Sequence, residues 1–158
     1  GETFRYKRSS APHTTPHHLR DALPSSRKYP HIKISDIKLG NWLRSDTIRA
    51  MEEVFQENIP YDAIYAESDS MASGARLALK KAGIDLASLV TMGIDYTSEA
   101  RDAIIKGEQS ASFVYPLSVQ ETVDTVLSII NGNKPPKRVT VESLMVTPEN
   151  VPHVMPIF

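Results

Sequence analysis

The sequence contains no cysteine, which leaves this chain without a disulfide framework, a thiolate zinc or iron–sulfur site, or a cysteine nucleophile. That absence fits periplasm and cytosol alike. It also lacks an excess of basic charge: 18 Lys and Arg stand against 19 Asp and Glu, a net charge of -1. A chain that neutralises nucleic-acid phosphates needs such an excess, so no nucleic-acid partner is expected. No apolar run approaches the roughly 18 to 20 residues needed to cross a bilayer. No Gly-x-Gly-x-x-Gly or Gly-x-x-x-x-Gly-Lys follows any strand-like segment, so the backbone cradle for nucleotide phosphates is missing.

What is present describes an ordinary globular domain of 158 residues, 41% of them hydrophobic. A chain of this size buries roughly 70% of its unfolded surface, enough for one core. It begins with Gly1, and Gly1–Pro12 holds no apolar segment of the signal-peptide kind. A mature chain or a fragment is therefore expected. Residues 1–28, with Pro12, Pro16 and Pro24 among turn formers, read as a poorly ordered lead-in in which only His17–Leu23 has the pattern of a short helix. Residues 29–146 read as an α/β lobe and residues 147–158 as a C-terminal tail.

From Tyr29 onward strand and helix signals alternate. Ile32 and Ile34 share one face of a strand over His31–Ile37, and Ile48, Met51, Val54 and Phe55 fall at helical spacing in Arg44–Asn58. Ala63–Ala66 reads as a strand and Asp69–Ala82 as a helix with Ala72, Ala75 and Leu79 on one side, stopped by Gly83. Leu89–Met92 leads into Ser98–Lys106, where Ala100, Ala103 and Ile104 point inward. Ser110–Val114 leads into a helix opened by Ser118-Val119-Gln120-Glu121, a capping-box tetrad, with the stripe Val119, Val123, Val126, Leu127 and Ile130. Extended segments follow at Arg138–Val141 and Ser143–Val146. This alternation predicts right-handed crossovers and a three-layer α/β/α fold, a doubly wound parallel sheet.

In such a sheet ligands sit outside the carboxyl ends of the strands, where loops and helix N-termini present amides and side chains. The loops at that edge carry Asn41 and Trp42, then Ser68 and Asp69, then Asp95, then Tyr115. Flat aromatic faces beside short acceptors suit a pyranose or furanose, which stacks its C–H face and donates its hydroxyls. Each residue also has a plainer use: Trp42 as a hydrophobic plug, Ser68 and Asp69 as helix caps, Asp95 as a turn former, Tyr115 as a strand end. The convergence of all these loops on one rim is what favours ligand binding. His13, His17 and His18 have a metal-like spacing without nearby carboxylates beyond Asp21, and no metal site or cofactor is expected. With no Gly-x-Ser-x-Gly elbow and no histidine in the rim loops, neither is an enzyme.

The stretches Asp62-Ala63-Ile64-Tyr65-Ala66-Glu67-Ser68-Asp69-Ser70-Met71-Ala72-Ser73-Gly74-Ala75, Gly93-Ile94-Asp95, Glu99–Gly107 and Asn131-Gly132-Asn133-Lys134-Pro135 resemble the carboxy-terminal lobe of type I periplasmic sugar-binding proteins of the ribose-binding kind. The resemblance runs from about Tyr29 to Val151 and implies one lobe of two, closing on a sugar or polyol. It implies a partner ABC-transporter permease or a chemoreceptor or sensor kinase. The implied location is the periplasm, or an extracellular, membrane-associated position in a Gram-positive source. By position Trp42 matches a stacking aromatic and Asp95 the aspartate of the Gly-x-Asp motif. Ser68 stands where ribose binders have asparagine, and Tyr115 where they have glutamine. Thr14-Thr15-Pro16 replaces a usual arginine, and the family's third crossing between lobes would lie within Arg138–Val146. One lobe alone leaves a ligand open to water, so weak binding and some self-association are expected of it.

Two rivals share the fold class. A ligand-sensing lobe of a LacI-type regulator or membrane sensor is the nearer, though Glu99–Gly107 follows the transport branch. A phosphoacceptor receiver domain needs an acidic pair after the first strand, where Lys38-Leu39-Gly40 stands.

Overall fold

The computed structural model describes residues 29–158. The lead-in helix at His17–Leu23 and the histidines at 13, 17 and 18 lie outside the described residues. Helix α1 (Arg44–Gln56) is followed by β1 (Ala63–Tyr65), α2 (Asp69–Lys81), β2 (Val90–Asp95), α3 (Ser98–Ile105), β3 (Ala111–Val114), α4 (Val119–Ile130) and β4 (Met145–Val146). The sheet runs in the order β1-β2-β3-β4. β1, β2 and β3 are parallel, with Ile64 beside Thr91 and Gly93 beside Ser112. β4 is antiparallel to β3, with Val146 beside Ser112, so the sheet is mixed where an all-parallel one was expected. The chain returns from α4 without a third parallel crossover, and a reversed strand is the pairing such a return permits.

Helix α2 organises the lobe. Asp69 in its first turn and Lys80 and Lys81 in its last complement the helix dipole. Its periodic face, Ala72, Ala75 and Leu79, is almost fully buried. Ala75, Ala78 and Leu79 make the main core with Met51 of α1 and Leu86, against which Ile48, Phe55 and Ile64 pack, while Ala72 packs with Ala66 and Met71. Gly74 lets α1 approach closely, because a Cβ there would lie 2.6 Å from the Arg44 carbonyl and 2.9 Å from Cβ of Thr47. A second core joins Tyr96, Ile104, Val146 and Val151. The C-terminal residues are thus part of the lobe rather than a tail set off from it. Tyr96 donates its hydroxyl to the Val154 carbonyl at 3.0 Å, and Ile157 N–H donates to the Tyr96 carbonyl at 3.2 Å.

Two local expectations are corrected. His31–Ile37 is not a strand: Ile32 is exposed and the segment forms no ladder among the described residues. Alternation marks a face, but a strand also needs a partner. The capping box at Ser118 does not form. Ser118 sits in the left-handed region at φ 54, where its hydroxyl is turned from the helix amides and lies 3.4 Å from the Pro116 carbonyl; a capping box needs extended backbone at that residue. Helix α4 has the regular stripe but buries no residue, leaving Val119, Val123, Val126, Leu127 and Ile130 exposed. Amphipathicity is a property of the segment, whereas burial needs an opposing surface.

Candidate functional site

The carboxyl ends of β1, β2 and β3 and the turn before α1 make one rim. Gly40 brings that turn to the rim by lying against the first turn of α2, where a Cβ would stand 2.7 Å from Sδ of Met71. Leu43 N–H donates to the Gly40 carbonyl at 2.8 Å, closing a tight turn with Asn41 at φ 48 and Trp42 at φ 63. Two successive left-handed residues are unfavourable, more so for a bulky indole, and such backbone is typical of functional loops. Trp42 is 55% exposed, so it is not a buried plug at the strand end. Asn41 Nδ2 donates to Oδ2 of Asp46 at 2.8 Å, tying the turn to α1. That hydrogen bond, with the neighbouring Arg49, holds the Asp46 carboxyl below its usual value.

Ser68 and Asp69 follow β1 and are both buried. The Ser68 hydroxyl caps α2, accepting from Met71 N–H at 3.2 Å, which commits it to the helix end. Asp69 turns its carboxylate inward, under the rim. Its Oδ2 accepts from Thr97 N–H at 3.0 Å and its Oδ1 from Gln109 Nε2 at 3.0 Å. The Ser112 hydroxyl donates to the same carboxylate, 3.0 and 2.9 Å from its two oxygens. Burial raises the Asp69 pKa against these hydrogen bonds, which favour the charged form. In their observed places Ser68 and Asp69 shape the rim from behind.

Asp95 ends β2 at φ 106 and is partly buried. Burial and the charge of Asp69 raise its pKa, while a hydrogen bond from the backbone of Asp69, the first residue of α2, acts the other way. Its carboxyl therefore lies at the N-terminal end of α2, a position that favours a carboxylate. Tyr115 follows β3 and is 58% exposed, and its N–H donates to the Asp95 carbonyl at 3.4 Å. Four of the six expected residues, Asn41, Trp42, Asp95 and Tyr115, are thus presented at the rim.

The buried network beneath the rim was not read from the sequence. Arg76 donates to Oε1 of Gln109 and, at 3.4 Å, to Oε1 of Glu99. Glu99 also accepts from Ser73 and from Arg44. The available signals were the polar Ser112 inside a four-residue strand and Arg76 on the buried side of α2. Among the described residues no group of three or more His, Asp and Glu is placed to hold a metal ion. Among the described residues shallow concavities lie elsewhere, one between α4 and Val139 and Val141, another beside Lys80, Ile84 and Lys106.

A sequence profile of the periplasmic binding protein domain matches residues 17–134. A Rhizobium meliloti protein whose name gives it provisionally as rhizopine-binding is 32% identical over 123 residues, covering 76% of this chain and 40% of that protein. A D-apiose import binding protein of Paraburkholderia graminis is 28% identical over 95 residues, 60% of this chain and 30% of that one. The structure of a Caulobacter myo-inositol binding protein with myo-inositol bound superposes with a TM-score of 0.70 at 25% identity, over 85% of this chain and 46% of the other. The chain spans less than half the length of each of these proteins. Among the described residues no helix is long and apolar enough to cross a membrane.

Proposed function

The chain belongs to the periplasmic binding protein domain family, and on that premise we propose that it is one lobe of a two-lobed protein that binds a sugar or polyol and hands it, unaltered, to an ABC importer. The observation that carries the reading is the placement of Trp42, Asn41, Asp95 and Tyr115 on one open rim, the first two on a strained turn. In this reading Trp42 stacks on the C–H face of the ligand ring. The ionised Asp95 carboxylate accepts ligand hydroxyl hydrogen bonds, favoured by the α2 N-terminus. Tyr115 and Asn41 complete the ledge, and Ser68 and Asp69 set its shape. The second lobe supplies the opposite wall and excludes water when the two close. Such a protein works on the outer face of the cytoplasmic membrane, where its permease opens. The names of the relatives, which speak of D-apiose import, rhizopine binding and myo-inositol binding, support a small sugar or polyol ligand.

The test is a thermal-shift panel of pentoses, hexoses and polyols on the full-length protein, followed by calorimetry of any compound that shifts it. A ligand at about 100 times its Kd stabilises the folded state by about 2.7 kcal/mol. The expected result is a shift confined to a few related compounds in the full-length protein. Residues 1–158 alone should bind the same compound more weakly than about 1 mM, or about -4 kcal/mol. Equal affinity for the isolated lobe, or no shift with any sugar or polyol, overturns the reading.

A further inference from the structure

Asp95 and Tyr96 are successive residues with left-handed backbone, at φ 106 and φ 59, in the loop that carries the carboxylate to the rim. Neither is glycine, so the conformation must be imposed from outside the loop. The two amides that follow Asp95 show how. Tyr96 N–H donates to Oγ of Ser112 at 3.1 Å, and Thr97 N–H donates to Oδ2 of Asp69 at 3.0 Å. Ser112 in turn gives its single proton to the Asp69 carboxylate, so one hydroxyl joins the loop amide to the buried charge. Behind Asp69, Gln109 fixes the other carboxylate oxygen, and its own carbonyl is held by Arg76.

We infer that Asp69 and Ser112 are positioning residues for the ligand site: they do not touch the ligand but hold the Asp95–Thr97 loop in the backbone conformation that aims the Asp95 carboxylate at the rim. Asp69 is 3% and Ser112 0% exposed, which leaves no surface for a sugar hydroxyl to reach. Among the described residues the polar partners of the two side chains belong to the loop, to Gln109 or to each other. The inference rests on the sugar-binding reading for its affinity readout, but the hold on the loop can be measured without a ligand.

The experiment compares Ser112→Ala, Asp69→Asn and the core control Val54→Ala with the unmodified full-length protein. Calorimetry uses the sugar or polyol found in the thermal-shift panel, at a temperature where each variant is folded. Ser112→Ala and Asp69→Asn should each weaken binding at least tenfold, whereas Val54→Ala should lower the Tm and leave affinity unchanged. Asp69→Asn should also move the acid limb of ligand binding to lower pH, because it removes the charge that raises Asp95; loss of packing alone would not shift that limb. Hydrogen exchange at Tyr96 and Thr97 supplies the ligand-free measurement: Ser112→Ala should speed exchange at Tyr96 more than at the helix α2 amides. If the unmodified protein binds none of the panel, the sugar-binding reading fails while exchange still decides whether the network holds the loop. Unchanged affinity and unchanged Tyr96 exchange in both network variants would overturn the inference.

Discussion

The carboxylate of Asp69 occupies the space that a side chain would need at Gly93. A Cβ built on Gly93 would meet Oδ1 of Asp69 directly and would lie 3.1 Å from Nε2 of Gln109. The glycine of the Gly93-Ile94-Asp95 stretch is therefore required by a residue 24 positions earlier in the chain, on the first turn of α2, and not by a left-handed backbone at Gly93 itself.

Replacing that glycine tests the relationship. Gly93→Ala forces the buried carboxylate off Gln109 or pushes β2 away from α2, and overpacking of this kind costs about 1–3 kcal/mol. Disturbing hydrogen bonds to a buried charge adds to that cost. Urea unfolding should show the midpoint falling with the slope unchanged. Gly83→Ala is the comparison: φ is +74 there and nothing lies within 4 Å, so its cost comes from backbone strain alone. A Gly93→Ala midpoint equal to the parent's would mean that the carboxylate does not sit over β2.

The raised pKa values of Asp69 and Asp95 predict an acid-side gain in stability. Burial raises both, and the charge of Asp69 raises Asp95 further. Between the ordinary carboxylate value and the raised native value, each group binds more proton in the native chain than in the unfolded one. Stability therefore rises as pH falls through that window and declines as pH rises through it. Asp46, Glu108 and Glu149 act oppositely, because hydrogen bonds from Asn41, Lys80 and Thr147 respectively lower their values. Their contribution is lost on acidification below the ordinary range. Unfolding midpoints should thus peak in mild acid, and Asp95→Asn should flatten the limb between neutral pH and that peak. An unchanged limb in the variant would remove Asp95 as a source of it.

Trp42 is the single tryptophan of residues 1–158, so the fluorescence of this lobe reports the rim directly. This half-exposed residue should be quenched by iodide in residues 1–158, and a ligand that stacks on it should reduce that quenching. Stacking on a ring is worth about 0.5–1.5 kcal/mol beyond the area it buries. Trp42→Ala should therefore lose tenfold or more in affinity by calorimetry, and Trp42→Phe clearly less. Equal affinity for the alanine variant would leave Trp42 outside the contact set.

The helices that were legible in the sequence are those whose stripes meet a partner within the lobe. Ala72, Ala75 and Leu79, and Ala100, Ala103 and Ile104, are buried where helical spacing puts them. The rim was legible for a different reason: strand order alone decides which loops share an edge, so Trp42, Asp95 and Tyr115 could be grouped without knowing a single contact. The Asp69 network was not legible, since Ser112 on β3 and Gln109 in the loop before it reach the carboxylate through the register that sets Gly93 beside Ser112, and Arg76 of α2 joins only through Gln109. Capping at Ser118 failed for a related reason. A tetrad pattern names side chains but says nothing of the backbone dihedral, which is left-handed there.

Helix α4 and the sheet face opposite α2 carry the last prediction. The register puts Tyr65, Met92, Phe113 and Met145 on one face of the sheet, and Tyr65 and Met145 are about half exposed. Leu127 and Ile130 of α4 are 52% and 73% exposed, and no residue of that helix is buried. Apolar surfaces left in water at about 25 cal/mol per Å² drive association whenever another such surface is within reach. Residues 1–158 should therefore self-associate with rising concentration in sedimentation velocity. A charge placed in the stripe, Val123→Glu or Leu127→Glu, should shift the chain toward monomer without lowering its unfolding midpoint by more than about 0.5 kcal/mol, since neither residue contributes to a core. A large loss of stability in either variant would show instead that α4 covers its own sheet in solution, and a parent chain that stays monomeric at high concentration would remove the premise of an open apolar face.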